Sequence, residues 1–147
     1  MAAAIDLAVV EQLRKVYLFR ELNDTQLGRV AQLGNVTSHN AGHAIANQGQ
    51  LGLWFHLLLD GEANVVVEGA VRRTLKAGEY FGEIAVIDQQ LRSASVIAMT
   101  PSHTWAVPGA AFRLLLDREP SVARGLLLGL CARVRELDAM VTQEPIS

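Results

Sequence analysis

The sequence has little of the features that mark several common protein classes. It contains one cysteine, Cys131, which excludes an internal disulfide and favours a reducing compartment. No apolar run approaches the roughly 20 residues that a transmembrane helix needs, and the first residues lack the basic segment of a secretory signal. The net charge of −2 gives no positive surface for nucleic acid or for an anionic membrane. We therefore expect a soluble cytoplasmic domain with no membrane span and no direct nucleic-acid binding.

Candidate metal ligands and catalytic groups are also sparse. The histidines, His39, His43, His56 and His103, lack the spacing of metal ligands, so surface or packing roles are expected for them. No nucleophile stands in a recognisable arrangement with a base. Cys131 lies in an apolar helical stretch and is predicted to be a core residue. The sequence thus predicts a protein that is not an enzyme, with no catalytic residue, metal site or cofactor.

What remains is an apolar chain that its periodicity divides into three regions. Hydrophobic residues make up 50% of the 147 residues and charged residues 19%, which suits one domain with a sizeable core. Apolar residues recur at helical spacing in residues 1–34 and 110–147, whereas residues 35–109 form short apolar runs punctuated by glycine. The pattern predicts helical segments at both ends of an all-β barrel or sandwich.

The N-terminal segment is predicted to hold two helices. The first covers Ile5–Arg20, where apolar residues repeat at helical spacing. Asn23 or Thr25 offers an N-cap for the second helix, which runs to Leu33 and is closed by Gly34.

The C-terminal segment is also predicted to be helical. A helix over Ala110–Arg118 precedes a longer one that Pro120 opens and that runs to Thr142. Gly125 and Gly129 would either bend this long helix or permit close packing against it. Its apolar stripe consists of Val122, Leu126, Leu130, Val134, Leu137 and Val141.

The strand region contains two strong turn signals. Leu53–Leu59 is an almost continuous apolar strand, and Asp60–Gly61 after it predicts a hairpin. Glu68–Gly69 predicts a second tight turn. Trp54 and Trp105 fall on the predicted strands, where core packing is expected for both.

The most informative stretch is Phe81–Val96. Gly82 permits a positive φ or a close backbone approach, and the first amides of the short helical turn Glu83–Ile87 form an anion site. Arg92 begins the next apolar run, where its guanidinium would face that anion. Glu83 does not suit an anion and would accept hydrogen bonds from a sugar hydroxyl instead. The stretch therefore predicts a pocket for a phosphorylated sugar.

This stretch resembles the phosphate-binding cassette of cyclic nucleotide-binding domains, F-G-E-[LI]-A-L followed by R-[STA]-A-[ST]-V after a short loop. The departures are Leu91, where proline is frequent, and Val86, where leucine is usual. Gly42–Gln50 is similar to the G-x-x-I-x-x-Q-G-[ED] turn of the same family, with glutamine replacing the final acid. The resemblance implies an antiparallel β-roll or jelly-roll barrel, an α+β and mainly β fold, flanked by N-terminal helices and a long C-terminal helix.

The resemblance also implies the roles of individual residues. Arg92 would bind the exocyclic phosphate oxygens and Glu83 the ribose 2′-hydroxyl, while the Ile84 and Ala85 amides and the Ser93 hydroxyl complete the cradle. Ser93 is preferred over Ser95 because it adjoins Arg92 and the two alternate along a strand. The predicted ligand-binding residues, within a cassette at 80–96, are Phe81, Gly82, Glu83, Ile84, Ala85, Arg92, Ser93 and Ala94.

The long C-terminal helix is the implied moving part. In the family it lies beside the pocket and can cover the base, so Arg133, Leu137 and Asp138 are candidate lid contacts on segment 110–147. The resemblance implies a sensor that signals through this helix, with cAMP as the first ligand and cGMP as the alternative. A homodimer through the same helix is a further expectation.

Other function classes remain open at this point. A phosphodiesterase or cupin-like enzyme lacks a metal or nucleophile pattern. A degenerate β-roll that serves as an interaction module is disfavoured by the intact Arg92 and Glu83. A transcription factor would need a helix-turn-helix, for which the printed sequence leaves no room after its long helix. The sequence does not decide whether it is a fragment of a larger regulator, channel or enzyme, or which effector it controls.

Overall fold

The computed structural model describes residues 7–142, without the side chain of Thr142. The helix start predicted at Ile5 and the tail after Thr142 therefore lie outside the described residues. The helices within this range are α1 (Leu7–Arg14), α2 (Asp24–Ala31), α3 (Glu83–Asp88), α4 (Gly109–Arg118) and α5 (Pro120–Thr142), with a 3₁₀ turn at Tyr17–Phe19. The strands are β1 (Asn35–His39), β2 (Ala44–Ala46), β3 (Trp54–Asp60), β4 (Glu62–Val67), β5 (Ala70–Lys76), β6 (Tyr80–Phe81), β7 (Ser95–Ala98) and β8 (Ser102–Pro108).

The strands form two four-stranded antiparallel sheets that face each other. Their orders are β1-β8-β3-β6 and β2-β7-β4-β5. Small and branched side chains fill the space between the sheets, a layer formed by Ala46, Leu58, Ala63, Leu75, Phe81 and Val96. This is the antiparallel β-roll that was predicted, with helices at both ends, so the expected fold class is confirmed.

The helices pack on the outer face of the first sheet and form a second core. Trp105 of β8 lies at its centre with 1% of its surface exposed, and it meets Phe19 and Phe55 edge-on. Phe55 in turn stacks on Phe112 of α4, with ring centroids 4.1 Å apart. The helical ends are thus fixed to the sheet by aromatic contacts, which bury large apolar areas.

The first helix is shorter than predicted. It ends at Arg14, and Val16 has an extended backbone before the 3₁₀ turn at Tyr17–Phe19. Val16, Leu18 and Phe19 are all buried. One continuous helix would point Leu18 to the side opposite Val16, so the chain turns and buries both of them together with Phe19. The second helix begins as expected, with a capping box between Asn23 and Gln26.

The hairpin predicted at Asp60–Gly61 is wrong. Asp60 ends a strand of one sheet and Glu62 begins a strand of the other, so the turn crosses between the sheets. Gly61 has φ of +83°, and a Cβ there would collide with Ser102, which explains the glycine. The second turn signal is confirmed, because Glu68–Gly69 joins the paired strands β4 and β5 with both φ values positive.

Two expectations about burial, for Trp54 and for Cys131, are wrong. Trp54 is 44% exposed because it lies at the first position of β3, paired with Pro108 at the sheet end. Cys131 is exposed, since α5 contacts the domain mainly through its first half. Accordingly the apolar stripe of α5 is buried at Val122 and Leu126 but exposed from Val134 onward. The second half of α5 thus presents an apolar face that the described chain does not cover.

Candidate functional site

The predicted cassette forms a tight turn followed by one short helix. Gly82 has φ of +89° and caps α3, and a Cβ on it would lie 2.6 Å from the Trp54 carbonyl oxygen. Only glycine meets both constraints without strain. Ala85 and Val86 bury the inner face of α3, and Arg113 donates a hydrogen bond to the Val86 carbonyl at 3.0 Å. The six-residue helix is therefore held by its tertiary contacts.

Arg92 is fixed by both its backbone and its side chain. Its N–H donates to the Gln50 carbonyl at 2.8 Å, and its carbonyl accepts from the Gly49 amide at 2.9 Å. The family-like turn at Gly42–Gln50 thus positions this arginine. The side-chain Nη2 donates to the Trp54 carbonyl at 2.9 Å, and a Cβ on Gly82 would lie 3.0 Å from Nη1. The guanidinium is therefore held against the cassette turn.

A pocket of about 200 Å³ opens at this point. It brings together all of the predicted ligand-binding residues, Phe81, Gly82, Glu83, Ile84, Ala85, Arg92, Ser93 and Ala94. Ser95 does not line it, because its hydroxyl accepts a hydrogen bond from the Gln48 amide at 2.9 Å. The structure thus places Ser93 rather than Ser95 beside the pocket.

The charges in the pocket influence one another. Burial raises the pKa of Glu83, while its own backbone N–H, Arg73 and Arg92 act in the opposite direction. Burial likewise lowers the pKa of Arg92, and Glu83 counteracts it; a guanidinium stays charged in either case. The pocket therefore places the fixed Arg92 cation near the Glu83 carboxylate, a combination that suits an anion attached to a hydroxyl-bearing group.

Sequence reasoning missed Arg73 of β5, which also lines this pocket. Its Nη1 lies 3.7 Å from the Glu79 carboxylate, longer than a hydrogen bond. The alternation of side chains along a strand could have indicated it. Arg72 and Arg73 are adjacent on β5, so one of the two arginines must lie on the inner face of the sheet. Arg73 shares its face with the buried Leu75.

A second pocket of about 300 Å³ adjoins the first and lies under α5. Arg73, Glu83 and Ile84 line both pockets. Of the three candidate lid residues, Arg133 lines the second pocket, where its Nη1 pairs with Glu136 at 3.1 Å. The other two, Leu137 and Asp138, lie on the exposed surface of α5 and line neither pocket.

Glycine brings α5 close to this second pocket. A Cβ on Gly129 would lie 2.8 Å from the Tyr80 hydroxyl oxygen. Gly125 faces Leu18 at the ordinary contact distance of 3.5 Å. Gly129 therefore permits close packing, one of the two alternatives that the sequence left open, and α5 is one helix from Pro120 to Thr142.

A polar network lies behind the cassette. His56 is 6% exposed and stacks on Phe81 of the cassette with centroids 4.9 Å apart. The Thr104 hydroxyl lies within hydrogen-bonding distance of His56 Nδ1 at 3.2 Å, His39 Nε2 at 3.0 Å and the Thr37 hydroxyl at 2.9 Å. Burial, and secondarily the charge of Arg92, lowers the pKa of His56 to about 3. At neutral pH this histidine is therefore uncharged, and it supports Phe81 from behind the pocket.

The described part of the chain holds neither a metal-ligand cluster nor a helix that could span a membrane. Among residues 7–142, no three His, Cys, Asp or Glu side chains are grouped so that they could hold a metal ion. In the same range, no helix combines the length and hydropathy needed to cross a bilayer.

Proteins of known function resemble this chain in sequence. It is 38% identical over 89 residues to the cAMP-dependent protein kinase regulatory subunit of Schizosaccharomyces pombe, covering 60% of this chain and 22% of that protein. It is 31% identical over 106 residues to the cGMP-dependent protein kinase of Plasmodium berghei, covering 71% of this chain and 12% of that protein. The chain thus spans only a small part of these relatives.

A solved structure and a family profile give the same assignment. The catabolite activator protein of Thermus thermophilus superposes with a TM-score of 0.78 at 27% identity, over 86% of this chain and 62% of that chain. The profile of the cyclic nucleotide-binding domain matches residues 36–119. This range contains the whole pocket that holds Arg92, and it contains every residue of both sheets except Asn35. The chain belongs to the cyclic nucleotide-binding domain family.

Proposed function

We propose that this domain is a regulatory sensor for a 3′,5′-cyclic nucleotide, with cAMP as the first ligand to test and cGMP as the alternative. Arg92 binds the exocyclic phosphate oxygens and Glu83 the ribose 2′-hydroxyl. The domain acts by binding and not by catalysis, in the cytoplasm, and the protein or domain that it controls is unidentified. The segments 1–34, 35–109 and 110–147 serve as support, ligand-binding barrel and lid.

The observation that carries the proposal is the fixed position of Arg92 beside Glu83 in one pocket. The hydrogen bond to the Trp54 carbonyl holds the guanidinium at the edge of the turn whose amides lead into α3. A single phosphodiester charge fits one guanidinium in a partly desolvated site. A neutral ribose hydroxyl fits a carboxylate that accepts hydrogen bonds and whose pKa burial has raised.

Calorimetry with cAMP, cGMP and AMP tests the proposal. We expect a cyclic nucleotide to bind more tightly than AMP, because the open phosphate of AMP carries about two charges, whereas Arg92 is the guanidinium held against the cassette turn. Incubation followed by chromatography should recover the cyclic nucleotide unchanged. Equal affinity for AMP would contradict the site assignment, and no affinity for either cyclic nucleotide would favour an interaction module without a nucleotide.

We propose that α5 transmits the binding signal and also pairs with a second copy of the chain. From Leu127 onward this helix carries apolar residues at alternating spacings of three and four, a heptad pattern. These residues are Leu127, Leu130, Val134, Leu137 and Val141, and four of them are 44–70% exposed. The β-branched residues Val134 and Val141, with Leu137 between them, favour a two-stranded coiled coil.

Ligand binding should reduce amide exchange across Arg133–Val141. Arg133 already lines the pocket under α5, so a base in that pocket gives this helix contacts that only the closed state makes. Exchange measured by mass spectrometry with and without saturating cAMP or cGMP checks this. Identical exchange in both samples would contradict the proposal that α5 closes over the bound nucleotide.

Sedimentation velocity on the same samples separates lid closure from pairing. Closure leaves the mass at that of one chain, whereas pairing doubles it. Leu137→Glu is the control variant, because it places a charge in the proposed seam and lies outside both pockets. A parent protein that sediments as one chain at every concentration, with and without ligand, would contradict the homodimer.

A further inference from the structure

We propose that Gln48 and Glu68 are positioning residues that hold Arg92 where it meets the ligand phosphate. Neither residue lines the pocket of Arg92 or the pocket under α5, and both lie outside the cassette at 80–96. The proposal rests on the proposed function, because it concerns how the phosphate-binding arginine of that site is held.

Arg92 takes its backbone position from the turn at residues 47–50, between β2 and β3. As described above, this turn exchanges two backbone hydrogen bonds with Arg92, through Gly49 and Gln50. A displacement of the turn would therefore move the Arg92 backbone and, with it, the guanidinium. Within the turn the Gln50 amide donates to the Asn47 carbonyl at 3.3 Å, a long hydrogen bond. The turn therefore depends on contacts from other parts of the chain.

Gln48 supplies such contacts on two sides of the turn. Its amide donates to Ser95 Oγ of β7 at 2.9 Å. Its side-chain Nε2 donates to Glu68 Oε1 at 2.6 Å, and its Oε1 accepts from the Glu68 amide at 3.0 Å. These last two hydrogen bonds are reciprocal, so each residue donates once and accepts once. Gln48 thus joins the turn that holds Arg92 to the β4–β5 turn.

Glu68 has a backbone conformation that its residue type disfavours. Its φ is +50° at the first central position of the tight turn Glu68–Gly69, where Asn, Asp and Gly are strongly preferred. Aspartate would suit this turn, but its carboxylate would end one methylene further from Gln48. The reciprocal pair with Gln48 gives a physical reason for glutamate at this position. A residue that departs from the local preference in this way is expected where its side chain has a function.

A guanidinium that is held in place binds phosphate more tightly than one that moves. If only a fraction of the molecules hold Arg92 against the cassette, the apparent dissociation constant rises by the inverse of that fraction. Loss of the Gln48–Glu68 pair would loosen the turn and lower this fraction. The Trp54 carbonyl would still accept from Arg92 Nη2. We therefore expect a loss of roughly 2- to 12-fold in affinity, which corresponds to the net contribution of one hydrogen bond.

Four variants separate positioning from a simple effect of charge. Gln48→Met removes both side-chain hydrogen bonds without a change in charge. Gln48→Glu brings two carboxylates together and also breaks the pair. Glu68→Gln alone keeps an acceptor for Gln48 Nε2 and the donating backbone amide. In the double variant Gln48→Glu/Glu68→Gln the amide and the carboxylate exchange places, which restores both hydrogen bonds and the net charge of the parent protein.

Calorimetry with cAMP and cGMP and nitrogen-15 NMR of the ligand-free proteins test the proposal. Gln48→Met and Gln48→Glu should each weaken binding, whereas Glu68→Gln and the double variant should bind as the parent does. In the ligand-free protein, Gln48→Met should shift and broaden the Arg92 amide and Nε–H signals, since broadening reports motion on the microsecond to millisecond timescale. The double variant should restore both signals.

Glu62→Gln is the matched control, because it removes the same charge at the other end of β4 and should leave the affinity unchanged. If Gln48→Met lowered only the melting temperature, the pair would support stability alone and the proposal would be wrong. It would also be wrong if the effects of Gln48→Glu and Glu68→Gln were additive, as a charge effect requires. A parent protein that binds neither nucleotide would refute the proposed function, while the ligand-free Arg92 signals would still decide whether the pair holds this arginine.

Discussion

Arg92→Ala should abolish most cyclic nucleotide binding and leave the fold intact. The arginine meets the ligand phosphate in a partly desolvated pocket, and truncating one partner of such a charge pair costs about 2–5 kcal/mol. That corresponds to roughly a 30- to 5,000-fold loss of affinity. In the protein itself the side chain makes one hydrogen bond, to the Trp54 carbonyl at an exposed position, which water can replace. Calorimetry measures the affinity, and thermal unfolding measures the stability.

Two further variants sharpen this result. Arg92→Lys keeps the charge but loses the guanidinium fork, so it should recover only part of the affinity. Glu83→Gln should cost less than Arg92→Ala, because the ribose hydroxyl is neutral and a water can substitute. Arg72→Ala is the control, since that arginine is exposed on β5 and lines neither pocket. If Arg92→Ala bound within threefold of the parent protein with an unchanged melting temperature, the pocket would be misassigned.

Acidification should destabilise the protein through His56. Burial lowers the pKa of His56 to about 3 in the folded state, whereas an unfolded histidine titrates near 6.5. Below about pH 6.5 the unfolded chain therefore binds a proton that the folded chain does not, and the free energy of unfolding falls by about 1.4 kcal/mol per pH unit. The loss attributable to this residue at pH 5.0 is about 2 kcal/mol, and the stability it supports is complete above pH 6.5.

None of the groups around His56 favours its protonated form. Its ring faces Phe81 on one side, the Thr104 hydroxyl at Nδ1 and the positive charge of Arg92 in the pocket. His39 reaches the same hydroxyl and would add a second positive charge when protonated. None of these four groups stabilises an imidazolium by an opposite charge, so the proton remains unfavourable until the site opens.

Urea unfolding at pH 7.0 and pH 5.0 measures the effect in the parent protein and in His56→Phe. Phenylalanine keeps the stack on Phe81 without a titrating group. Between pH 7.0 and pH 5.0 the free energy of unfolding of the variant should therefore fall by about 2 kcal/mol less than that of the parent. Glu83 acts in the opposite direction because its pKa is raised in the folded state, but it is present in both proteins. His103→Gln removes an exposed histidine and should show the same fall in the free energy of unfolding on acidification as the parent protein. A variant His56→Phe with the same pH dependence as the parent would contradict the assignment.

The cassette could be predicted from the sequence because its constraints are local. Gly82 must have a positive φ, α3 must start immediately after it, and Arg92 must follow at a fixed distance. Each requirement restricts residue types at fixed spacing, so the motif Phe81–Val96 indicated the turn, the short helix and the pocket together. The same holds for the capping box at Asn23 and the tight turn at Glu68–Gly69. The sequence by itself therefore determined the fold class and which residues surround the pocket.

The rest depended on contacts between segments distant in the chain. The turn at Asp60–Gly61 has hairpin chemistry, yet β3 pairs with β8 because that register buries Phe55 and Leu57. Trp54 and Cys131 have core-type side chains, but a strand end and the second half of α5 leave them exposed. Arg73 enters the site only because β5 carries it to the junction of two pockets. Local spacing fixes backbone conformation, whereas burial and the assembly of a site depend on the packing of the whole chain, which only the tertiary structure decided.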